Sequence, residues 1–543
     1  IFTTHTPVPA GNDAFPLELM RKYFGDYPAR VGIDFETFAS FGQFRRDLRE
    51  PFSMTVLALR TSRHANGVSE LHGRVSQGLW KDVWAGVPQN EVPITSVTNG
   101  IHTKTWMAPQ FQALYDKYLP GWEEKLLNPE FWRGVIEIPD EELWNTHMHL
   151  KARLVAFVRD RVHAQRQRLG ESPESVRGAN RLLNPEVLTV GFARRFATYK
   201  RATLLFSQPE RLEKLLSNAE RPVQFVFAGK AHPKDEPGKK FIQMVYHFSR
   251  APEFQNRLVF VEDYDHYVGR RMYQGCDLWL NNPRRPLEAS GTSGMKLPPS
   301  GGLNLSVLDG WWCEGFNGKN GWAIGAEIAE TTEPIDTVFE DEVDVASLFH
   351  ILETQVVPLY YAKPDGRLPL AWIQLMRESI RTITPVFNTH RMVRDYNERL
   401  YEPAARAHET LAAGAGQKAL DLSKWKDNIR KNWPVILIRE VHAKAASVCV
   451  GDSIEVEAVV HLGPIDPEYV TVQAYFGEAV NNVITRPATT DLVKKSKMDH
   501  RDYLFAGSIP ATESGSYGLH LRVIPTHPHL IQPHELRLIT WAR

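Results

Sequence analysis

A chain of 543 residues is longer than one hydrophobic core organises, which predicts two to four domains. Lysine plus arginine balance aspartate plus glutamate at 64 each, so no global field favours nucleic acid, an anionic membrane or a polyanionic partner. Any anion site must be built locally.

The three cysteines, Cys276, Cys313 and Cys449, are too few and too scattered for a disulfide framework or a zinc site. A reducing, cytoplasmic setting without a bound metal fits that usage. No apolar run approaches the roughly 20 residues of a membrane span, and no charged-then-apolar leader precedes the globular pattern. The first residues, Ile-Phe-Thr-Thr-His-Thr-Pro-Val at 1–8, read as a strand end running into a loop, as the interior of a longer protein does.

In chain order, 11–86 is mostly helical in pattern, with 53–59 followed by a polar loop at 61–67. A short apolar strand at 94–97 leads into Thr98-Asn99-Gly100-Ile101, and 106–170 is again helix-rich, with apolar spacing of three and four along 150–167. After Pro185 short apolar runs alternate with helical patterns, the signature of parallel strands joined by crossover helices. The expected strands are 187–192, 223–228, 258–261, 277–280 and 303–308. The fold class is α/β, a doubly wound sheet whose ligands bind at the carboxyl ends of the strands. Helices are expected over 345–412 and a linker from 413 to 433. Period-two alternation from 434 to 543 reads as a separate β-sandwich.

Two segments carry chemistry. Ser290, Gly291, Thr292, Ser293 and Gly294 place small residues and hydroxyls after a strand, where several backbone N–H groups can converge on a phosphate. Lys296 follows, close enough for its amine to condense with an aldehyde whose phosphate sits in that loop. Arg194, Arg195, Lys200 and Arg201 follow another strand at spacings that suit two phosphates. Standing alone, that basic run would read as a solvated helix start. Trp311-Trp312 with Gly315, Gly318 and Gly321 reads as a sugar platform or as core packing. Histidine and asparagine in 62–67 are expected to line the cleft.

The stretch Glu-Ala-Ser-Gly-Thr-Ser-Gly-Met-Lys at 288–296 resembles the cofactor-lysine motif of the α-glucan (glycogen or maltodextrin) phosphorylases. Arg-Arg-Phe-Ala-Thr-Tyr-Lys-Arg at 194–201 resembles their phosphate-binding motif, and Thr-His-Thr-Pro-Val at 4–8 and Thr-Asn-Gly-Ile at 98–101 match two more, in the family's order. The variant is similar to the short bacterial subfamily, and the resemblance covers about 1–410. It implies a two-domain glycosyltransferase-B architecture. On that reading 1–96 completes an N-terminal Rossmann-like domain, 97–412 is the pyridoxal 5'-phosphate domain, and 434–543 is an appendage of the short subfamily.

The same resemblance implies roles. Lys296 holds pyridoxal phosphate through its amine, while Arg194 and the backbone of Thr292, Ser293 and Gly294 cradle its phosphate. Tyr264 packs near its ring. Arg195 and Lys200 hold orthophosphate. His5 and Asn99 meet the glucose 6-hydroxyl, Tyr199 the 2-hydroxyl, and Glu288 with the Ser290 and Gly291 amides the 3-hydroxyl edge; Lys296, Arg195, Lys200 and His5 are the catalytic set. Each has a plain alternative: His5 as a cap of its Thr-Pro turn, Asn99 as a turn former, Tyr199 as a buried ring, and Glu288 as the partner of Arg284 or Arg285.

The implied reaction is phosphorolysis of an α-1,4-glucan by orthophosphate to glucose 1-phosphate, with homo-oligomerisation left open. Two departures stand out. The family's glycine-rich loop that closes over phosphate lies outside this chain, and Leu-Pro-Pro-Ser-Gly-Gly at 297–302 predicts an irregular helix start after Lys296. The rival readings are a glucan synthase of the same architecture using a sugar nucleotide, and a non-catalytic glucan-binding protein.

Overall fold

The computed structural model describes every residue except 46, 48, 326–335, 365, 445–447, 482 and 543. Near the N-terminus β1 (Phe2–Thr3), β2 (Ala65–Gly67) and β3 (Ile94–Ser96) form a small parallel sheet in that spatial order. The polar loop expected at 61–67 is therefore in part the middle strand. Its polar residue is satisfied internally: Asn66 is buried, accepts from Thr3 Oγ1 at 2.9 Å and donates to Tyr396 Oη at 3.0 Å. A buried amide with its partners supplied is compatible with a strand, and Asn66 does not line the cleft.

Among the described residues the main sheet has six strands: β4 (Leu188–Arg195), β5 (Val223–Lys230), β6 (Leu258–Val261), β7 (Leu278–Asn281), β8 (Leu303–Val307) and β9 (Gly321–Ile324). All neighbours are parallel, and the spatial order is β9-β8-β7-β4-β5-β6. Chain progression runs outward in both directions from the β4/β7 pair. In such a sheet the crevice beyond the carboxyl ends at that reversal is open to ligand. The sixth strand, β9, escaped the sequence reading because its glycine-rich surroundings resemble a loop.

Alternation along the strands divides the interior into two layers. Leu188, Val190, Phe192, Phe225, Phe227, Leu258 and Phe260 face one side, and Ala193, Val226, Ala228, Val259 and Val261 face the other. The smaller side chains accept the helix Asp140–Arg168, whose buried positions 143, 147, 150, 154, 158 and 162 recur at three and four. Asp277, at the amino end of β7, is buried against Lys151 Nζ at 2.6 Å and His147 Nε2 at 2.7 Å and accepts from Thr189 N at 2.7 Å. This buried cluster fastens the helix to the edge of the sheet away from the crevice.

Lys296 closes one short 3-10 turn, Gly294–Lys296, and the prolines give a second, Pro298–Ser300, ended by Gly301 at φ +79°. The irregular start is thus two tight turns in place of an α-helix. Further on, the helix Glu402–Asn432 is broken by non-helical backbone at Ala413, Gly414, Ala415 and Gly416. The stretch expected as a linker is therefore a kink followed by helix.

The C-terminal strands β10 (Leu437–Ala443), β11 (Ser453–His461), β12 (Val470–Val480), β13 (Ala488–Lys497), β14 (Asp502–Pro510), β15 (Tyr517–Pro525) and β16 (Thr540–Trp541) are antiparallel, ordered β10-β11-β14-β13-β12-β15-β16. β13 pairs with β12 through 488–492 and with β14 through 493–497, so the sheet turns back on itself along that one strand. Val456, Ala458, Val472, Ala474, Phe505 and Val523 fill the core between. It docks on the N-terminal part through Glu91, which accepts from Arg522 Nη2 at 2.8 Å and from His534 Nε2 at 3.0 Å.

Candidate active site

The carboxyl ends of the small and main sheets face a common gap. His5 lies just past β1, Val68 past β2, Asn99 past β3 and Arg195 at the end of β4, and they line a cavity of about 300 Å³ together with Tyr199, Lys200, Glu288, Ser290, Gly291 and Thr292. Nine of the residues singled out in the sequence thus meet, although they are up to 287 positions apart. Arg194, Ser293, Gly294, Tyr264 and Lys296 are not part of that lining.

Glu288 organises the charge. Its Oε2 accepts from Arg194 Nη2 at 2.5 Å and from Lys200 Nζ at 2.8 Å, and all three side chains are at most 10% exposed. Burial pushes the carboxyl up, but the two cations outweigh it and hold it below the usual carboxylate range. Burial, with repulsion from Arg194, brings the Lys200 ammonium down to about 8. Arg194 also donates to Asn281 Oδ1, at the end of β7, so the β4/β7 switch point is clamped by one guanidinium. With exposed Arg195 included, three cations face one carboxylate. The excess positive charge suits an anion.

The loop after Glu288 is held from behind. Glu288 N donates to Asp309 Oδ2 at 2.9 Å, Gly310 N to Asp309 Oδ1 at 2.8 Å, and Trp311 N to Ser290 O at 2.9 Å. Ser69 Oγ donates to Ala289 O at 2.7 Å, which joins the N-terminal part to the loop. Burial lifts the Asp309 carboxyl to about 7, against the pull of the Glu288 and Gly310 amides that hydrogen-bond it. Gly291 has φ +77°, and a Cβ at Gly310 (φ +54°) would stand 2.4 Å from Ser290 O. Ser290 Oγ is buried without a hydrogen-bond partner among the described residues.

Beside this loop Lys296 Nζ lies 3.9 Å from the ring centroid of Trp106 and 4.8 Å from that of Tyr273. Burial alone lowers its amine to about 8, with no carboxylate opposing the shift. Tyr264 borders the same spot, its hydroxyl 3.1 Å from that of Tyr273. Ser293 Oγ accepts from Trp279 Nε1 at 3.2 Å and Gly294 O from Asn304 Nδ2 at 3.0 Å, so these two positions brace the turn that presents Lys296.

One expectation is corrected and several open alternatives narrow. Arg201 turns away from the cavity and donates to Asn282 O at 2.9 Å, Pro283 O at 2.8 Å and Asp341 at 2.8 Å. Glu288 does not pair with Arg284, which binds Glu340 at 3.0 Å and Asp341 at 2.8 Å. Thr6 Oγ1, accepting from Val8 N at 3.1 Å, caps the Thr-Pro turn and leaves His5 exposed to the cavity. Trp311 and Trp312 are core, packed with Met295, Ile383 and Phe387, and offer no sugar platform. Trp106 and Tyr273 were not singled out in the sequence, and Asn281 and Asp309 were read there only as polar strand ends at the ligand edge of the sheet. The pairs Asn281-Asn282 and Asp309-Gly310 at strand ends were the available signal for two of them.

Residues 21–318 match the carbohydrate phosphorylase family, and 433–543 match the glycogen phosphorylase C-terminal domain. The chain is 39% identical to the maltodextrin phosphorylase of Thermococcus litoralis, over 100% of this chain and 62% of that protein. It is 38% identical to the glycogen phosphorylase of Mycobacterium tuberculosis, over 100% of this chain and 63% of that one. With the glycogen phosphorylase of Aquifex aeolicus identity is 41% over 74% of this chain and 57% of the relative. The chain spans less than two thirds of the length of these curated relatives. With a family match over more than half of its residues, the chain belongs to the carbohydrate phosphorylase family.

Proposed function

We propose that the full-length protein is an α-1,4-glucan phosphorylase that releases terminal glucose from glycogen or maltodextrin as α-D-glucose 1-phosphate. The observation that carries this reading is the anion-suited cluster Arg194, Arg195, Lys200 and Glu288 beside a half-buried, uncompensated lysine amine. The reading includes a glycosyltransferase-B architecture, domains at 1–96, 97–412 and 434–543, and a cytoplasmic home in keeping with three scattered cysteines.

The residues around Lys296 fit pyridoxal phosphate. A lysine amine lowered to about 8 is partly neutral and nucleophilic near physiological pH, and Trp106, Tyr273 and Tyr264 offer a ring an apolar seat. The unpartnered Ser290 Oγ and the backbone of Thr292, Ser293 and Gly294 offer donors to a phosphate. When bound, pyridoxal phosphate supplies a phosphate group whose second pKa of about 6 suits proton exchange with orthophosphate near neutrality.

Breaking the glucosidic bond builds positive charge on the anomeric carbon, so the site needs an acid at the departing oxygen and an anion beneath the sugar. Arg195 and Lys200 hold orthophosphate, which protonates the departing 4-oxygen and then attacks the same face, with retention. Lys200 and Arg194 then share their charge between Glu288 and the incoming phosphate. His5 and Asn99 receive the 6-hydroxyl, Tyr199 the 2-hydroxyl, and Glu288 with the Ser290 and Gly291 amides the 3-hydroxyl edge. A sugar-nucleotide transferase has no use for the Lys296 amine. Borohydride reduction of the full-length protein, followed by peptide mass analysis, tests the reading: a pyridoxyl phosphate adduct at Lys296 supports it, and an unmodified Lys296 contradicts it.

A further inference from the structure

The wall that Lys296 packs against has a second cavity on its reverse side. The turn Thr103–Trp106 and the helix His266–Gly275 supply both surfaces. Trp106 and Tyr273 face Lys296, while His102, Lys104, Arg270 and Arg271 line a cavity of about 430 Å³ that Arg153 closes from the helix Asp140–Arg168. Gln274 Nε2, in the same lining, donates to Trp106 O at 3.1 Å and joins the two faces.

The charge there is unbalanced. No acidic residue lines the cavity. Lys104 is paired with Glu123 at 2.8 Å, but among the described residues no carboxylate pairs with Arg153, Arg270 or Arg271. Arg271 is steadied by Tyr267, donating to its hydroxyl at 2.8 Å. Three arginines around one concavity repel each other, and a concave surface focuses their potential. In a chain whose charges cancel overall, this concentration has no global cause.

The geometry points to a binding site for a small, soluble, multiply charged phosphate anion on the back of the Lys296 wall, separate from the cleft. Guanidinium forks bind phosphate oxygens bidentately, and the volume falls in the range of small-ligand sites. The site stands whether or not Lys296 carries a cofactor.

Tripolyphosphate is the probe, titrated calorimetrically into the full-length protein carrying Arg195→Ala to weaken the cleft's own anion seat. Adding Arg153→Gln and Arg270→Gln is expected to weaken binding by more than about tenfold. Equal affinity with and without those two changes, or no binding at all, overturns the proposal. Phenylglyoxal modification of the unmutated protein gives a readout independent of variant folding. Tripolyphosphate slows modification of Arg153 and Arg270, and unchanged rates at both overturn the site.

Discussion

Glu288 accepts from Lys200 Nζ at 2.8 Å through the same oxygen, Oε2, that binds Arg194 at 2.5 Å. One buried carboxylate thus fixes both the end of β4 and the tight turn that follows it. Glu288→Ala leaves two buried cations uncompensated, which costs about 3–5 kcal/mol. A fall in the urea midpoint checks this, and inorganic phosphate is expected to restore part of the loss by replacing the missing anion. A midpoint unchanged by Glu288→Ala contradicts the pairing.

Lys296 is lowered by burial to about 8 from the usual 10.5. Only the neutral amine attacks an electrophile, so acetylation of Lys296 in the cofactor-free protein, followed by peptide mass analysis, should be half-maximal near pH 8. A midpoint near 10.5 argues that the amine is solvated.

Asp309 titrates near 7 in the folded protein against 3.8 for an ordinary aspartate. Between those values the folded state holds the extra proton, so the stability this group contributes is present below about pH 4 and is lost as pH rises towards 7. Asp309→Asn removes the titration. Urea midpoints at acidic and neutral pH should therefore differ less in the variant than in the parent. Identical pH dependence in both rules the shift out.

Gly310→Ala places a methyl 2.4 Å from Ser290 O at a backbone φ of +54°. Because Ser290 O is backbone, the loop must move, and the Ser290 and Gly291 amides move with it. Activity of the full-length protein should fall by about a hundredfold with secondary structure intact by circular dichroism. Near-parental activity would show that the loop tolerates the shift.

How much of this was legible in the sequence depends on separation along the chain. Five strands of the main sheet show as apolar runs because a sheet covered on both faces needs apolar residues at every position. β9 lacks that signal, being short, starting on Gly321 and lying between Gly318 and Gly325. The cavity residues were found through motifs, since local texture cannot bring His5 to Glu288. Arg284 offered itself as an alternative partner of Glu288 because it is near in sequence, whereas Arg194 and Lys200 arrive only through the parallel pairing of β4 with β7. Asn66 was misplaced because polarity does not by itself report burial.

The most direct test of the central claim is release of glucose 1-phosphate from maltodextrin and orthophosphate by the full-length protein, comparing the parent with Lys296→Ala and Arg195→Ala. Release by the parent and loss of at least about a hundredfold in each variant is the predicted result. Full activity in Lys296→Ala, or no glucose 1-phosphate from the parent, would contradict it.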